Sequence, residues 1–148
     1  MENKLKPESA SVLKTLNECE IRTVLATGDN VLTAISVARN CKMLDPAKTV
    51  FLGEVADKNG QEVVVWNQIE GNKKQGVQST DKGNGLPWHY SDSSIEVALT
   101  GPAFHIITEN KDKDQFTYNS VCMKAQVFAR MSPLDKDLLI QALHNVCK

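Results

Sequence analysis

Ile21-Arg22-Thr23-Val24-Leu25-Ala26-Thr27-Gly28-Asp29-Asn30 reads as a strand running into a turn. Residues 21–27 are short-range apolar and β-branched, the composition of a buried strand. Gly28-Asp29-Asn30 breaks that run with three turn-forming residues. Val31, Ala34, Ile35, Ala38 and Cys41 then recur at helical spacing, with Asp29 or Asn30 available as the N-cap. Upstream, Pro7 opens a helix, Glu8 lies in its first turn, and Val12, Leu13, Leu16 and Cys19 share one face. Helix, strand, turn and helix together predict an α/β sheet with helices on its faces.

Outward from that stretch the grammar continues. Thr49-Val50-Phe51-Leu52 and Val63-Val64-Val65-Trp66 are strand-like runs around the turn signal Asp57-Lys58-Asn59-Gly60. Residues 67–94 are polar and rich in Gly, Asn, Ser and Lys, which predicts a long surface insertion tacked down by Trp88 and Tyr90. Ile95 to Leu99 reads as a strand, Thr100-Gly101-Pro102 as the start of a short helix, 114–124 as a weakly signalled helix, and Ala125 to Arg130 as a further strand. Ser132-Pro133-Leu134-Asp135 is a clean helix start, with Ser132 capping, Pro133 in the first helical position and Asp135 where a capping box puts its acid. Leu134, Leu138, Leu139, Ala142, Leu143 and Val146 form the stripe that follows.

Composition sets the class. The 148 residues suffice for one domain with a real core, and 41% hydrophobic and 24% charged residues are ordinary for a globular chain. A net charge of −1 with interspersed signs points to neither nucleic acid nor a membrane surface as partner. No apolar run approaches the roughly 20 residues that span a bilayer, and Met1 to Lys6 carries no signal-peptide core. The chain is therefore expected to be soluble and cytosolic, with no direct membrane contact. Cys19, Cys41, Cys122 and Cys147 form no Cys-x-x-Cys pair and are expected to be buried and reduced. No metal site is expected, and His89, His105 and His144 receive no role.

Two strand-to-helix turns carry the candidate chemistry. At Thr27-Gly28-Asp29-Asn30, a hydroxyl and a glycine at the carboxyl end of a strand point donors outward beside a helix N-terminus, an arrangement able to hold a phosphoryl group. A plain turn with an Asp cap satisfies the same spacing. At Ala129 to Lys136, Lys136 stands against the helix dipole, which suits a lysine facing an anion; pairing with Asp135 or Asp137 is the alternative. The guanidinium fork of Arg130 suits phosphate or a ribose edge.

Taken together, these residues resemble the phosphorylation domain of P-type ATPases. The resemblance rests on Leu5-Lys6-Pro7-Glu8, Ile21 to Val24, Thr27 to Asn30, Thr33 to Ile35 and Val37 to Arg39, and on Val127 to Pro133 with Lys136. The wording is nearest to the fifth class, the 13A-like branch associated with polyamine and cation transport in endolysosomal membranes. The two blocks cover about the first third and last sixth of the chain, in the family's order; residues 44–125 match only in character.

That resemblance implies a Rossmann-like, haloacid-dehalogenase-type α/β sheet over residues 1–148 as a partial phosphorylation domain. It implies that Thr27 and the backbone at Gly28 hold phosphoryl oxygens, that Lys136 neutralises them, and that Asp29 and Arg130 lie near the ribose. ATP and Mg²⁺ would be the ligands of the parent transporter, whose remaining domains would be the partners, on the cytosolic face of an intracellular membrane. The sequence departs from the family in carrying no DKTGT and no GDGxND motif, so the two central strands, the nucleophilic aspartate and the Mg²⁺ ligands are expected to be missing. The chain alone is then expected to be inactive, its strand at 21–27 bare-edged and its fold marginally stable. A truncated nucleotide-binding or regulatory module is the alternative. An independent phosphotransferase lacks its strand-end aspartate pair.

Overall fold

Asn59 and Gly60 both adopt left-handed backbone, with φ of 56° and 81°, and close a two-residue hairpin of the type whose twist matches its strands. The Gly60 amide donates to the Asp57 carboxylate at 2.8 Å. This turn joins β2 (Thr49–Lys58) to β3 (Gln61–Glu70), which pair antiparallel from Val50↔Ile69 to Lys58↔Gln61. The computed structural model describes residues 7–70, 73–78, 86, 88 and 91–146. Their order is α1 (Pro7–Glu18), β1 (Leu25–Ala26), α2 (Val31–Asn40), β2, β3, β4 (Lys73–Gln78), β5 (Ile95–Thr100), α3 (Gly101–Glu109), α4 (Gln115–Lys124), β6 (Ala125–Ala129) and α5 (Pro133–Val146).

One six-stranded sheet runs β1-β6-β5-β2-β3-β4. The first four strands are mutually parallel, and β3 and β4 extend the sheet antiparallel. Both faces of the sheet are covered. Val31, Ala34, Ile35 and Ala38 of α2 pack on Val50, Leu52, Ala98, Val127 and Ala129. Alternate residues, among them Phe51, Val97, Leu99 and Phe128, meet Phe104, Ile107, Val121 and Leu139 of α3, α4 and α5 on the other side. That double burial explains why β5 and β6 read as continuous apolar runs. Phe104 and Phe128 meet edge to face at 5.4 Å.

Three expectations are corrected. The strand expected at 21–27 shrinks to Leu25–Ala26, because a ladder lasts only as long as its partner: β1 pairs with β6 alone among the described residues. It lies at the sheet edge, where the unpaired side was expected. The surface insertion expected from 67 begins inside β3, since Asn67 and Ile69 are buried in the sheet and Lys73–Gln78 form β4. Trp88 is buried edge-to-face on Trp66 at 5.3 Å; Tyr90 and His89 lie outside the described residues. Cys41 and Cys122 are buried and outside any disulfide among the described residues, but Cys19 is exposed at the end of α1, whose face has little to pack against; Cys147 lies outside the described residues.

Arg22 performs a structural task that its sequence position does not announce. Its guanidinium donates to the carbonyls of Cys122 at 2.6 Å and Ala125 at 2.7 Å. It thereby satisfies carbonyls at the C-terminus of α4, where a cation is also favoured by the helix dipole.

Candidate functional site: two bonded turns

The backbone itself brings the two candidate turns together. Register Ala26↔Phe128 aligns the carboxyl ends of β1 and β6. Beyond the ladder the pairing continues: the Thr27 amide donates to Phe128 O at 2.9 Å, the Met131 amide to Thr27 O at 2.9 Å, and the Arg130 amide to Asp29 O at 2.9 Å. Thr27-Gly28-Asp29 and Arg130-Met131 are thus one bonded unit at the carboxyl edge of the parallel sheet, where open α/β sheets place their ligands.

Each turn leads into a helix N-terminus. Asn30, not Asp29, is the cap of α2: its side chain accepts from the Thr33 amide at 2.9 Å. That leaves Asp29 free of capping duty, and its carboxylate accepts from the Thr27 hydroxyl at 3.1 Å while its amide donates back to Thr27 Oγ1 at 3.2 Å. Ser132 and Asp135 form the expected capping box of α5: the Ser132 amide donates to Asp135 Oδ2 at 3.0 Å and the Asp135 amide to Ser132 Oγ at 3.1 Å. Asp135 also accepts the Ser132 hydroxyl at 2.8 Å and lies 3.8 Å from His105 Nδ1.

Lys136 occupies the turn just above that box, exposed, with its amide making the bond to Ser132 O at 3.0 Å. Among the described residues it forms no ion pair with Asp135 or Asp137. A lysine in the first turn of a helix stands against the helix dipole.

Two backbone features distinguish the site. Arg130 has φ of 53°, a left-handed conformation that a non-glycine residue holds at a cost of about 1–2 kcal/mol. It lifts the Arg130 side chain to the surface at the end of β6, where it lines a cleft of about 340 Å³ with Glu54, Asn67, Thr100 and Pro102. Asn67 donates to Glu54 at 2.8 Å across this cleft. Gly28 is the converse: a Cβ there would meet only Met131 O at 3.7 Å, an ordinary contact, and its φ is not positive. Neither packing nor backbone geometry of this fold requires glycine at 28. Larger cavities, of about 480 Å³ against β3, α3 and α4 and about 520 Å³ between α4 and α5, contain none of these residues.

Donors fit an anion better than they fit a metal. The backbone bonds bring Thr27, Gly28 and Asp29 beside Arg130 and Met131, while the cleft lined by Arg130 includes none of Thr27, Gly28 and Lys136. The two acids, Asp29 and Asp135, are each bonded within their own turns, and no cluster of three metal-ligating side chains occurs among the described residues. No described helix is long and apolar enough to cross a membrane.

Sequence reasoning missed Glu96 and Gly101. Glu96 is a buried carboxylate at the start of β5, accepting from the Asp45 amide with both oxygens at 3.2 and 3.1 Å. Burial raises its pKa above the ordinary 4.5. The signal was a lone acid inside an apolar run. Gly101 adjoins the Arg130 turn.

Comparison with known proteins places the sequence beside transport ATPases. Over 99% of its length the chain is similar to a segment of ATPases of the 13A type. It is 35% identical over 156 residues to Polyamine-transporting ATPase 13A3 of Mus musculus and 37% identical over 157 residues to Probable cation-transporting ATPase 13A5 of Homo sapiens. Vacuolar cation-transporting ATPase YPK9 of Saccharomyces cerevisiae is 30% identical over 148 residues, covering 95% of the chain. The chain spans only 13%, 12% and 10% of these three relatives. No family model matches the chain. The similarity therefore extends through residues 44–125, where the sequence alone offered only a likeness in character.

Proposed function

We propose that the chain is a segment of the phosphorylation domain of a P-type ATPase that couples ATP hydrolysis to movement of cations or polyamines across an intracellular membrane. In this reading the bonded turns hold the phosphoryl and ribose parts of the nucleotide. The observation that carries it is the pairing itself: Arg130 and Met131 amides bond to Asp29 and Thr27 carbonyls, so two turns distant in sequence make one donor-rich edge. Similarity of nearly the whole chain to cation- and polyamine-transporting ATPases supports the same reading.

Roles follow from the atoms present. Thr27 Oγ1 and the backbone at Gly28 donate to phosphoryl oxygens, for which Thr27 must release Asp29. Lys136 supplies a positive charge to those oxygens, and Arg130 and Asp29 take the ribose side. Phosphoryl transfer depends mainly on positioning and charge stabilisation, so such residues accelerate it without entering the covalent chemistry. Asp29 takes the ribose side and Asp135 is held in the capping box of α5, so neither is assigned as a nucleophile, and the chain alone should not turn over ATP.

The test is made in a 13A-type ATPase carrying this segment. Substituting Thr27→Ala or Lys136→Ala at the matching positions should lower ATP hydrolysis by about two orders of magnitude, while Leu134→Ala, an exposed neighbour, leaves it unchanged. Full hydrolysis by both site variants would refute the assignment.

A further inference from the structure

We propose that Gly101 is a positioning residue for the two bonded turns: the absence of a side chain there sets where Arg130 and the start of α5 stand relative to Thr27 and Gly28. Thr100 is paired in register with Ala129, so α3 begins directly beside Arg130. A Cβ at Gly101 would come within 2.5 Å of Arg130 O, 2.9 Å of Asp135 Oδ2 and 3.2 Å of the Arg130 carbonyl carbon. The first and last are backbone atoms, which cannot swing aside as a side chain can. Asp135 Oδ2 is the atom that accepts both Ser132 donors and so fixes the first turn of α5.

Glycine at 101 is not explained by its own backbone, since its φ lies outside the left-handed region. Nor is it needed as a cap: Thr100 supplies that, accepting from the Ala103 amide at 3.3 Å. What remains is closeness. The Arg130 peptide that Gly101 admits is the one whose neighbours bond to Asp29 and Thr27. Pushing it away displaces the cross-turn bonds and the guanidinium together, because Arg130 is already held at φ of 53° with little freedom to absorb a shift. Gly101 touches no ligand atom and acts through Arg130 and Asp135. Its consequence for binding rests on the nucleotide reading above; its consequence for the turns does not.

The experiment compares Gly101→Ala with Gly53→Ala in the full chain. Gly53 is a matched control: its Cβ would meet the Trp66 ring at 3.0 Å and Leu99 at 3.2 Å, inside the sheet and not at the turns. Residue-resolved amide exchange should show Arg130 and Met131 exchanging roughly tenfold faster in Gly101→Ala, with Val97 to Leu99 protected as in the parent chain. Gly53→Ala should show the reverse. Unaltered Arg130 and Met131 exchange in Gly101→Ala, or a uniform loss across the sheet, would overturn the proposal. If Gly101→Ala does not fold, the pair Gly101→Ala with Arg130→Gly, read at Met131 against Arg130→Gly alone, makes the same comparison, since glycine lets the turn yield. A titration with ATP and Mg²⁺ then separates the two claims. Faster local exchange with weakened ATP binding supports both; faster local exchange in a chain whose parent form does not bind ATP supports the positioning role and contradicts the nucleotide reading.

Discussion

Gly28 and Gly101 are opposite cases of one residue type. At 101 a methyl group collides with backbone; at 28 it has room. A glycine that the fold does not require, at the outermost point of a turn beside a helix N-terminus, is explained by something approaching the backbone from outside. Gly28→Ala should therefore leave the fold intact and raise stability by about 0.4–1 kcal/mol, through a less flexible unfolded chain. ATP binding should weaken about tenfold, 1.4 kcal/mol. Thermal unfolding and titration calorimetry on the same variant check both halves, and a destabilised chain with undiminished binding would show that the glycine serves the fold. Dipole logic, turn chemistry and the family resemblance singled out Thr27, Gly28, Asp29, Arg130 and Lys136; the fold sets Thr27 to Asp29 against Arg130 and Met131, and their roles toward a nucleotide are proposed. The left-handed Arg130 and the close approach of Gly101 were not, since both involve residues far apart in the chain: Arg130 with Asp29, and Gly101 with Arg130 and Asp135.

At the scale of elements, helices and strands followed from periodicity, and boundaries followed from pairing, which a single segment cannot show. The capping box of Ser132 and Asp135 formed as read. Residues 21–27 read as a full strand, yet only Leu25 and Ala26 find ladder partners. Residues 67–70 read as the start of a polar loop, but pairing of Asn67, Gln68 and Ile69 with β2, and of Glu70 with β4, holds them in β3. Glu96 couples two elements, tying the segment after α2 to β5 through the Asp45 amide. Desolvation raises its folded-state pKa, with the Asp45 bond and Lys48 opposing. A carboxylate raised on folding is held more tightly as the acid, so its contribution favours the folded state below the unfolded value and is lost as pH rises through the folded one. Relative to Glu96→Gln, the parent chain should lose stability as pH rises above about 4.5 and level off once Glu96 ionises. Urea titrations of both forms across that range test it; a pH-independent difference would place the carboxylate in an environment no less polar than water.

The whole molecule is a mixed sheet whose parallel part is covered on both faces and has β1 at its edge. β1 has one partner among the described residues, and apolar side chains lie exposed nearby and on the helices, including Ile21 at 51% and Val12 at 54%. An open parallel edge with apolar neighbours is a template for pairing with another chain. The account predicts a marginally stable chain that associates as concentration rises, and that Ile21→Lys reduces the association in sedimentation velocity. A monomer at high concentration that unfolds cooperatively would contradict it. This scale was the least legible from sequence: the order β1-β6-β5-β2-β3-β4 depends on long-range pairing, and only the edge position of β1 followed from the resemblance to a larger sheet.

The central claim is that the two bonded turns form one nucleotide-holding pocket. An amide-correlation NMR spectrum of the chain, titrated with ATP and Mg²⁺ into the millimolar range, tests it most directly. The account predicts a dispersed spectrum in which Thr27 to Asn30 and Arg130 to Lys136 shift together along one binding curve. A dispersed spectrum that ATP leaves unmoved, or shifts confined to the cavity against β3, α3 and α4, would contradict it.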